Sequence, residues 1–232
     1  MIKKISLIGL LFILLSCKKE EQKSIVPAYL RIDKMNVNAN FNTQGTESEK
    51  ITTVLVYIND DNLPLGAYEL PIDFPIAASG PTKIRIEPGM NLNGSKAYRT
   101  LYPFYSAYEE TINFVPEQTY YLRANTVATP VCTYSGYLNL FVIDDFENAG
   151  LGLESGPASD TGIFKVGLSE GAFKYIDEPT TSVKIVLKPS AAFESISVEE
   201  FTYQPLTDFY VELDYKAEVP FQVGVSMDTG NE

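Results

Sequence analysis

The first pattern along the chain is an apolar run from Ile5 to Leu15, interrupted only by Ser6 and Gly9 and preceded by Lys3 and Lys4. About 11 residues at 1.5 Å each fall well short of a hydrocarbon core about 30 Å thick, so the run predicts a cleaved secretory signal over residues 1–16 and not a membrane-spanning helix. A buried core helix would carry polar residues at helical spacing, and this run has almost none. Polar Lys18 to Lys23 follows and reads as a solvated tether, so that residues 17–27 link the signal to a folded body.

From residue 28 to residue 128 the pattern changes to short alternating or β-branched runs separated by turn residues. Ile51 to Ile58 reads as a strand, Asn59-Asp60-Asp61-Asn62 as a turn, and Leu65 to Leu70 as the returning strand. Lys83 to Glu87 alternates as a half-exposed strand does. Pro88-Gly89 and Asn93-Gly94 read as turns, and Glu109 to Val115 and Thr119 to Ala124 as two further strands. About seven strands in about a hundred residues is the size of an immunoglobulin-like sandwich.

A second region, residues 129–232, carries strand patterns at Leu138 to Ile143, Ser182 to Leu187, Ser195 to Val198, Phe209 to Tyr215 and Phe221 to Ser226, with glycine-rich loops between Gly150 and Gly162. A jelly roll needs about eight strands. The sequence stops at Glu232, where a further loop and strand are expected, so the second sandwich is either small or truncated. The expectation is an all-β protein of two sandwiches, and the Tyr, Phe, Val, Ile and Thr content agrees with it.

Four short stretches carry resemblances. Leu14-Leu15-Ser16-Cys17 resembles the lipobox of bacterial lipoproteins, which implies that Cys17 is acylated with chains such as palmitate and becomes the mature N-terminus. Several acyl chains on one residue give stable anchoring to a bilayer, at about 0.8 kcal/mol per buried methylene. Lys19-Glu20-Glu21, close behind the cysteine, resembles the surface-export signal of lipoproteins in Sus-type, glycan-foraging Gram-negative bacteria, which implies the outer face of the outer membrane. The stretch from Val54 to Pro71, followed by Lys83 to Gly94, resembles PEGA-like and other Ig-like modules of bacterial surface proteins. Phe141 to Glu147, with Phe209 to Val225, resembles jelly rolls of the carbohydrate-binding type.

Composition narrows the chemistry. Without Lys3 and Lys4 the balance is 16 basic against 30 acidic residues, which argues against nucleic-acid binding because phosphates need lysine and arginine as partners. The chain has no histidine, so histidine-based nucleophile systems and metal sites are excluded. It has no tryptophan, which weakens the case for sugar stacking. With Cys17 taken by lipid, Cys132 is left unpaired and reads as a small buried hydrophobe.

Three constellations remain. Asp144, Asp145 and Glu147, with Asp160 nearby in sequence, could offer oxygens to a structural calcium, which takes 6–8 such ligands in irregular loops; the alternative is a set of acids that merely face water. Tyr98, Arg99, Tyr102, Tyr105 and Tyr108, together with Phe104, form an aromatic stretch able to stack on the apolar faces of sugars; the alternative is packing at a sandwich edge or a domain interface. Glu194, Glu199, Glu200 and Glu212 are acids from which a glycosidase pair could be drawn, but nothing in the pattern fixes two of them at the required separation. The expectation is therefore a non-catalytic surface lipoprotein that binds glycan or another extracellular ligand. The second possibility is a structural or accessory subunit of an outer-membrane export or uptake complex.

Overall fold

The computed structural model describes residues 25–136, 140–172, 180–202 and 209–226. The signal, Cys17 and most of the tether lie outside the described residues. Among those described, the protein is built of β-strands with almost no helix, and no helix is long and apolar enough to cross a membrane.

The first body contains two layers. One layer has β1 (Ala28–Ile32) at its centre, antiparallel to β5 (Ile72–Ile76) on one side and parallel to β9 (Thr119–Leu122) on the other. A short parallel pair stands apart from it, β2 (Asn36–Asn38) with β10 (Val131–Thr133). The other layer is built on the long β6 (Gly80–Asn91), which pairs with β3 (Thr53–Ile58), β7 (Arg99–Leu101) and β8 (Tyr108–Phe114). Strand β4 (Gly66–Glu69) extends that sheet beyond β3.

Period-two alternation explains the packing between layers. Ala28, Leu30 and Ile32 of β1, Val54 and Val56 of β3, and Thr82, Ile84 and Ile86 of β6 point inward and are buried. Each fully buried Ile, Leu or Val contributes about 1.5–3 kcal/mol of burial free energy, before the entropy cost of ordering the chain. Tyr57 is buried on the other face of β3. Its register partner Arg85 lays a guanidinium over the ring at 3.9 Å, which accounts for a buried tyrosine on an outer surface.

Several expected elements are found close to where the pattern put them. The strands expected at 51–58, 65–70 and 119–124 correspond to β3, β4 and β9, each two residues shorter, and the one expected at 109–115 corresponds to β8, of the same length and one residue earlier. Asn59 and Asp60 both adopt positive φ, 51° and 60°, as the turn after β3 requires. Gly94, at φ 71°, closes the turn after β6. Pro88-Gly89 is a correction. It is not a turn but lies inside β6, where Pro88 faces Val54 and its carbonyl accepts the Tyr102 N–H at 3.0 Å. Gly89 is needed there because a Cβ would sit 2.9 Å from the Thr100 carbonyl oxygen of β7. The glycine serves close approach of a neighbouring strand, which a local reading takes for a turn signal.

The first core also runs past residue 128. Cys132 and Tyr134 belong to the same buried cluster as Leu30, Met35 and Phe114.

The second region is organised differently. Among its described residues, β11 (Leu153–Ser155) pairs with β14 (Ser195–Ser197), and β12 (Phe164–Gly167) with β13 (Thr181–Lys184), as two separate two-stranded units. Val166 is the apolar side chain that is buried among the described residues beyond 140. The strand expected at 138–143 lies partly outside the described residues, and its remainder, 140–143, carries no ladder. The stretches 209–215 and 221–226 are likewise without ladder bonds.

Candidate functional site

The aromatic stretch of residues 98–108 does not form one surface. Tyr102 follows β7, is buried, and meets Tyr105 at 4.6 Å between ring centroids. Tyr105 in turn bridges to Tyr134, with rings 5.0 Å apart. Tyr108 starts β8 opposite Ile86, so its ring turns towards the core, and its hydroxyl donates to Glu110 at 2.7 Å. Burial is the first reason that the phenols of Tyr102, Tyr105, Tyr108 and Tyr134 are all held above their ordinary range. Tyr98, by contrast, is 69% exposed. Arg99 beside it reaches Glu69 at 3.3 Å, an exposed pair of small energetic weight.

A residue from far along the chain completes the buried part. The Glu212 carboxylate accepts from the Tyr102 hydroxyl through one oxygen and from the Tyr134 hydroxyl through the other. Two residues before it, the Tyr210 ring packs edge-on against Tyr102 at 5.1 Å and against Phe104 at 5.0 Å. Two residues after it, Asp214 accepts from Thr46 at 2.5 Å and from Ser48. Thr46 and Ser48 stand in the loop after α1 (Phe41–Gln44), a single turn capped by the Asn40 side chain, which accepts the Asn42 N–H at 3.1 Å. Glu212 thus belongs to a contact between the two regions.

The four acids of the second region are engaged locally. Asp144 accepts the N–H groups of Phe146 at 2.7 Å and Gly152 at 2.5 Å. Asp145 accepts the Glu147 N–H at 3.0 Å, and Asp160 accepts the Ala192 N–H at 2.7 Å. Glu147 accepts from the N–H groups of Thr180 and Thr181, both at 2.7 Å, and from their hydroxyls at 2.6 and 3.0 Å. Burial alone would raise its pKa, but these bonds outweigh that effect and hold the carboxyl at about 2. Glu147 and Asp160 tie distant pieces of chain together, Asp144 and Asp145 hold their own loop, and among the described residues no three such groups gather as a metal cluster. Of the remaining acids, Glu194 uses its backbone carbonyl to hold Ser159 and Gly156, while Glu199 and Glu200 are exposed.

A face that the sequence reading passed over lies on the outside of the β5-β1-β9 layer. Because Ala28, Leu30 and Ile32 point inward, Tyr29 and Arg31 point out. Arg31 is in register with Tyr121 of β9 and Asp73 of β5. Tyr29 and Tyr121 are 39% and 46% exposed, one diagonal step apart on adjacent strands. The Arg123 guanidinium lies 4.4 Å over the Tyr121 ring, and Arg31 is steadied by Asp33 at 2.7 Å. The alternation in Ala28-Tyr-Leu-Arg-Ile32 and in Thr119-Tyr-Tyr-Leu122 carries the signal for this face.

No protein-family model matches the chain, and neither a curated protein nor a solved structure is found to be similar to it.

Proposed function

We propose that this chain is a non-catalytic lipoprotein, held to the outer membrane through acylated Cys17 and exposed at the cell surface, where its first β-body binds glycan or another extracellular ligand. The observation that carries the binding reading is the outward face of Tyr29, Arg31, Tyr121 and Arg123. Aromatic rings next to guanidinium groups suit a sugar, whose C–H faces lie on rings while its hydroxyls take N–H donors and carboxylate acceptors such as Asp73. The hydroxyl of Tyr120 reaches back across its corner to the backbone near Val115, as the tyrosine corner of immunoglobulin-type sandwiches does, and this supports an Ig-like first domain. The jelly-roll reading of the second domain, and a structural calcium at Asp144, Asp145, Glu147 and Asp160, rest on sequence alone.

Affinity electrophoresis of the soluble chain from residue 24 onward, through gels that hold different polysaccharides, tests the proposal. A polysaccharide that retards the protein should lose about 10-fold in affinity, about 1.4 kcal/mol, when Tyr29 and Tyr121 are both replaced by alanine. A folded sample that no polysaccharide retards would remove the sugar version.

The second reading, an accessory subunit of an outer-membrane complex, is favoured by the exposed alternating residues Phe209, Val211, Leu213 and Tyr215. Solubilised membranes should then yield a fixed protein partner with the full-length lipoprotein.

A further inference from the structure

The contact around Glu212 has the form of a peptide in its receptor. Tyr210, Glu212 and Asp214 alternate along one stretch and all three touch the first body, as one side of an extended segment does. The receptor side is likewise divided into three. Tyr102 and Phe104 present ring edges to Tyr210, the Tyr102 and Tyr134 hydroxyls grip both oxygens of Glu212, and the Thr46 and Ser48 hydroxyls grip both oxygens of Asp214. Hydroxyl-to-carboxylate bonds are charge-assisted and directional, so the groove recognises two acids at a fixed two-residue spacing.

Glu212 and Asp214 hold this stretch to the first body through side-chain bonds. Residues 209–215 carry no backbone ladder, so release requires no strand to be unzipped. Their other side holds Phe209, Val211, Leu213 and Tyr215, which are 48%, 48%, 50% and 64% exposed. The region that delivers the segment buries little apolar surface of its own, Val166 being its buried apolar side chain among the described residues. A segment that carries no backbone ladder and has a specific seat on another body is suited to exchange between copies, a low-cost route to association.

We infer that the groove of Thr46, Ser48, Tyr102, Phe104 and Tyr134 also takes residues 210–214 from a second copy of this chain, giving a strand-exchanged dimer. The occupant is defined by the segment already seated there, which every copy carries. Exchange reproduces the same bonds between chains and brings the two exposed apolar stripes into one assembly. Closed and exchanged forms then differ mainly in effective concentration, so crowding of anchored copies favours the dimer.

Cysteine trapping decides between the two forms. Ser48→Cys and Asp214→Cys are made in separate chains, mixed at high concentration and oxidised, and both are also combined in one chain. Glu212 and Tyr210 remain to seat the segment. Cys132 is buried and its thiol is pushed up to about 12 by that burial, so it does not compete. The double variant should close into a disulfide-linked monomer when dilute. The mixed single variants should give a disulfide-linked heterodimer that grows with concentration and disappears when Glu212→Ala is added to the Asp214→Cys chain. Closure of the double variant with no heterodimer at any concentration would show docking within one chain only and overturn the inference. Failure of the double variant to close would overturn it as well, because the groove would then not hold the segment.

Discussion

The Tyr120 hydroxyl donates to the Asn113 carbonyl at 2.7 Å and accepts the Val115 N–H at 3.0 Å, so that one phenol pins the corner between β8 and β9. The ring itself packs edge-on against Phe114 at 5.0 Å. Packing and hydrogen bonding are therefore separable here. Tyr120→Phe keeps the ring and removes both bonds, leaving a carbonyl and an N–H that water can partly satisfy. A loss of about 1–2 kcal/mol is expected in urea unfolding, against about 3–5 kcal/mol for Tyr120→Ala, which also empties the ring's place. Equal effects of the two substitutions would show that the hydroxyl contributes nothing.

Gly89 gives a steric prediction. A methyl group at this position meets the Thr100 carbonyl oxygen at 2.9 Å and the side chains of Leu55 and Thr53 at 3.4 Å. The carbonyl belongs to the neighbouring backbone and has little freedom to retreat, so Gly89→Ala must push β7 away from β6. The expected cost is about 1–3 kcal/mol in chemical unfolding, together with faster hydrogen exchange at the Tyr102 N–H that Pro88 accepts. Unchanged stability with unchanged exchange would mean that β7 does not approach as closely as the register Gly89 to Leu101 implies.

Much of the first body was legible because its strands obey the two-residue period on both sides of a core. Val54 and Val56, or Ile84 and Ile86, announce a buried face without any help from the tertiary structure. The Pro88-Gly89 pair misled because its glycine is required by the backbone of β7, whose Leu101 lies opposite it in register twelve residues later, a relationship that local turn propensity does not contain. In the candidate site, Tyr102 and Tyr105 stood out by density, but burial and exposure could not be told apart from spacing. Tyr98 remained outside while Tyr102 was covered by Tyr210, 108 residues away in sequence. The second region was least legible. Residues 209–215 alternate as a strand should, yet alternation specifies only two unlike faces. Here the polar face is the seated one, and the apolar face, by which the sequence reading recognised the strand, stays exposed.

Glu147 sets a pH window for its own loop. Its carboxyl is depressed in the folded chain, to about 2, because bonds from Thr180 and Thr181 outweigh burial. A depressed carboxylate contributes stability that is present above its unfolded value, about 4.3, and is lost as pH falls through the folded value. The tie between residues 147 and 180–181 should therefore hold through the ordinary acid range and loosen between about pH 4 and pH 2. Amide chemical shifts of Thr180 and Thr181 followed by NMR should titrate together in that window, and Glu147→Gln should remove the titration. A midpoint near 4.3 would mean that the four bonds to the carboxylate are not formed in solution.

Cys132 offers a probe of the pairing between β2 and β10. It is 0% exposed, its thiol donates to the Asn36 carbonyl at 3.4 Å, and desolvation raises its pKa to about 12. The thiolate is the reactive form, so both lack of access and scarcity of thiolate slow its reaction. In the native protein at pH 8 a maleimide or disulfide reagent should label Cys132 only through opening of the body, at a rate that rises with urea along the unfolding curve. Val37→Ala, which removes buried apolar contact from β2, should speed labelling as much as it lowers global stability if β2 and β10 open only with the whole core. A larger acceleration than the stability loss would instead identify this parallel pair as a unit that opens alone. Rapid labelling of the unmodified native chain, at the rate of a free thiol, would contradict the burial of Cys132 and with it the inclusion of β10 in the first core.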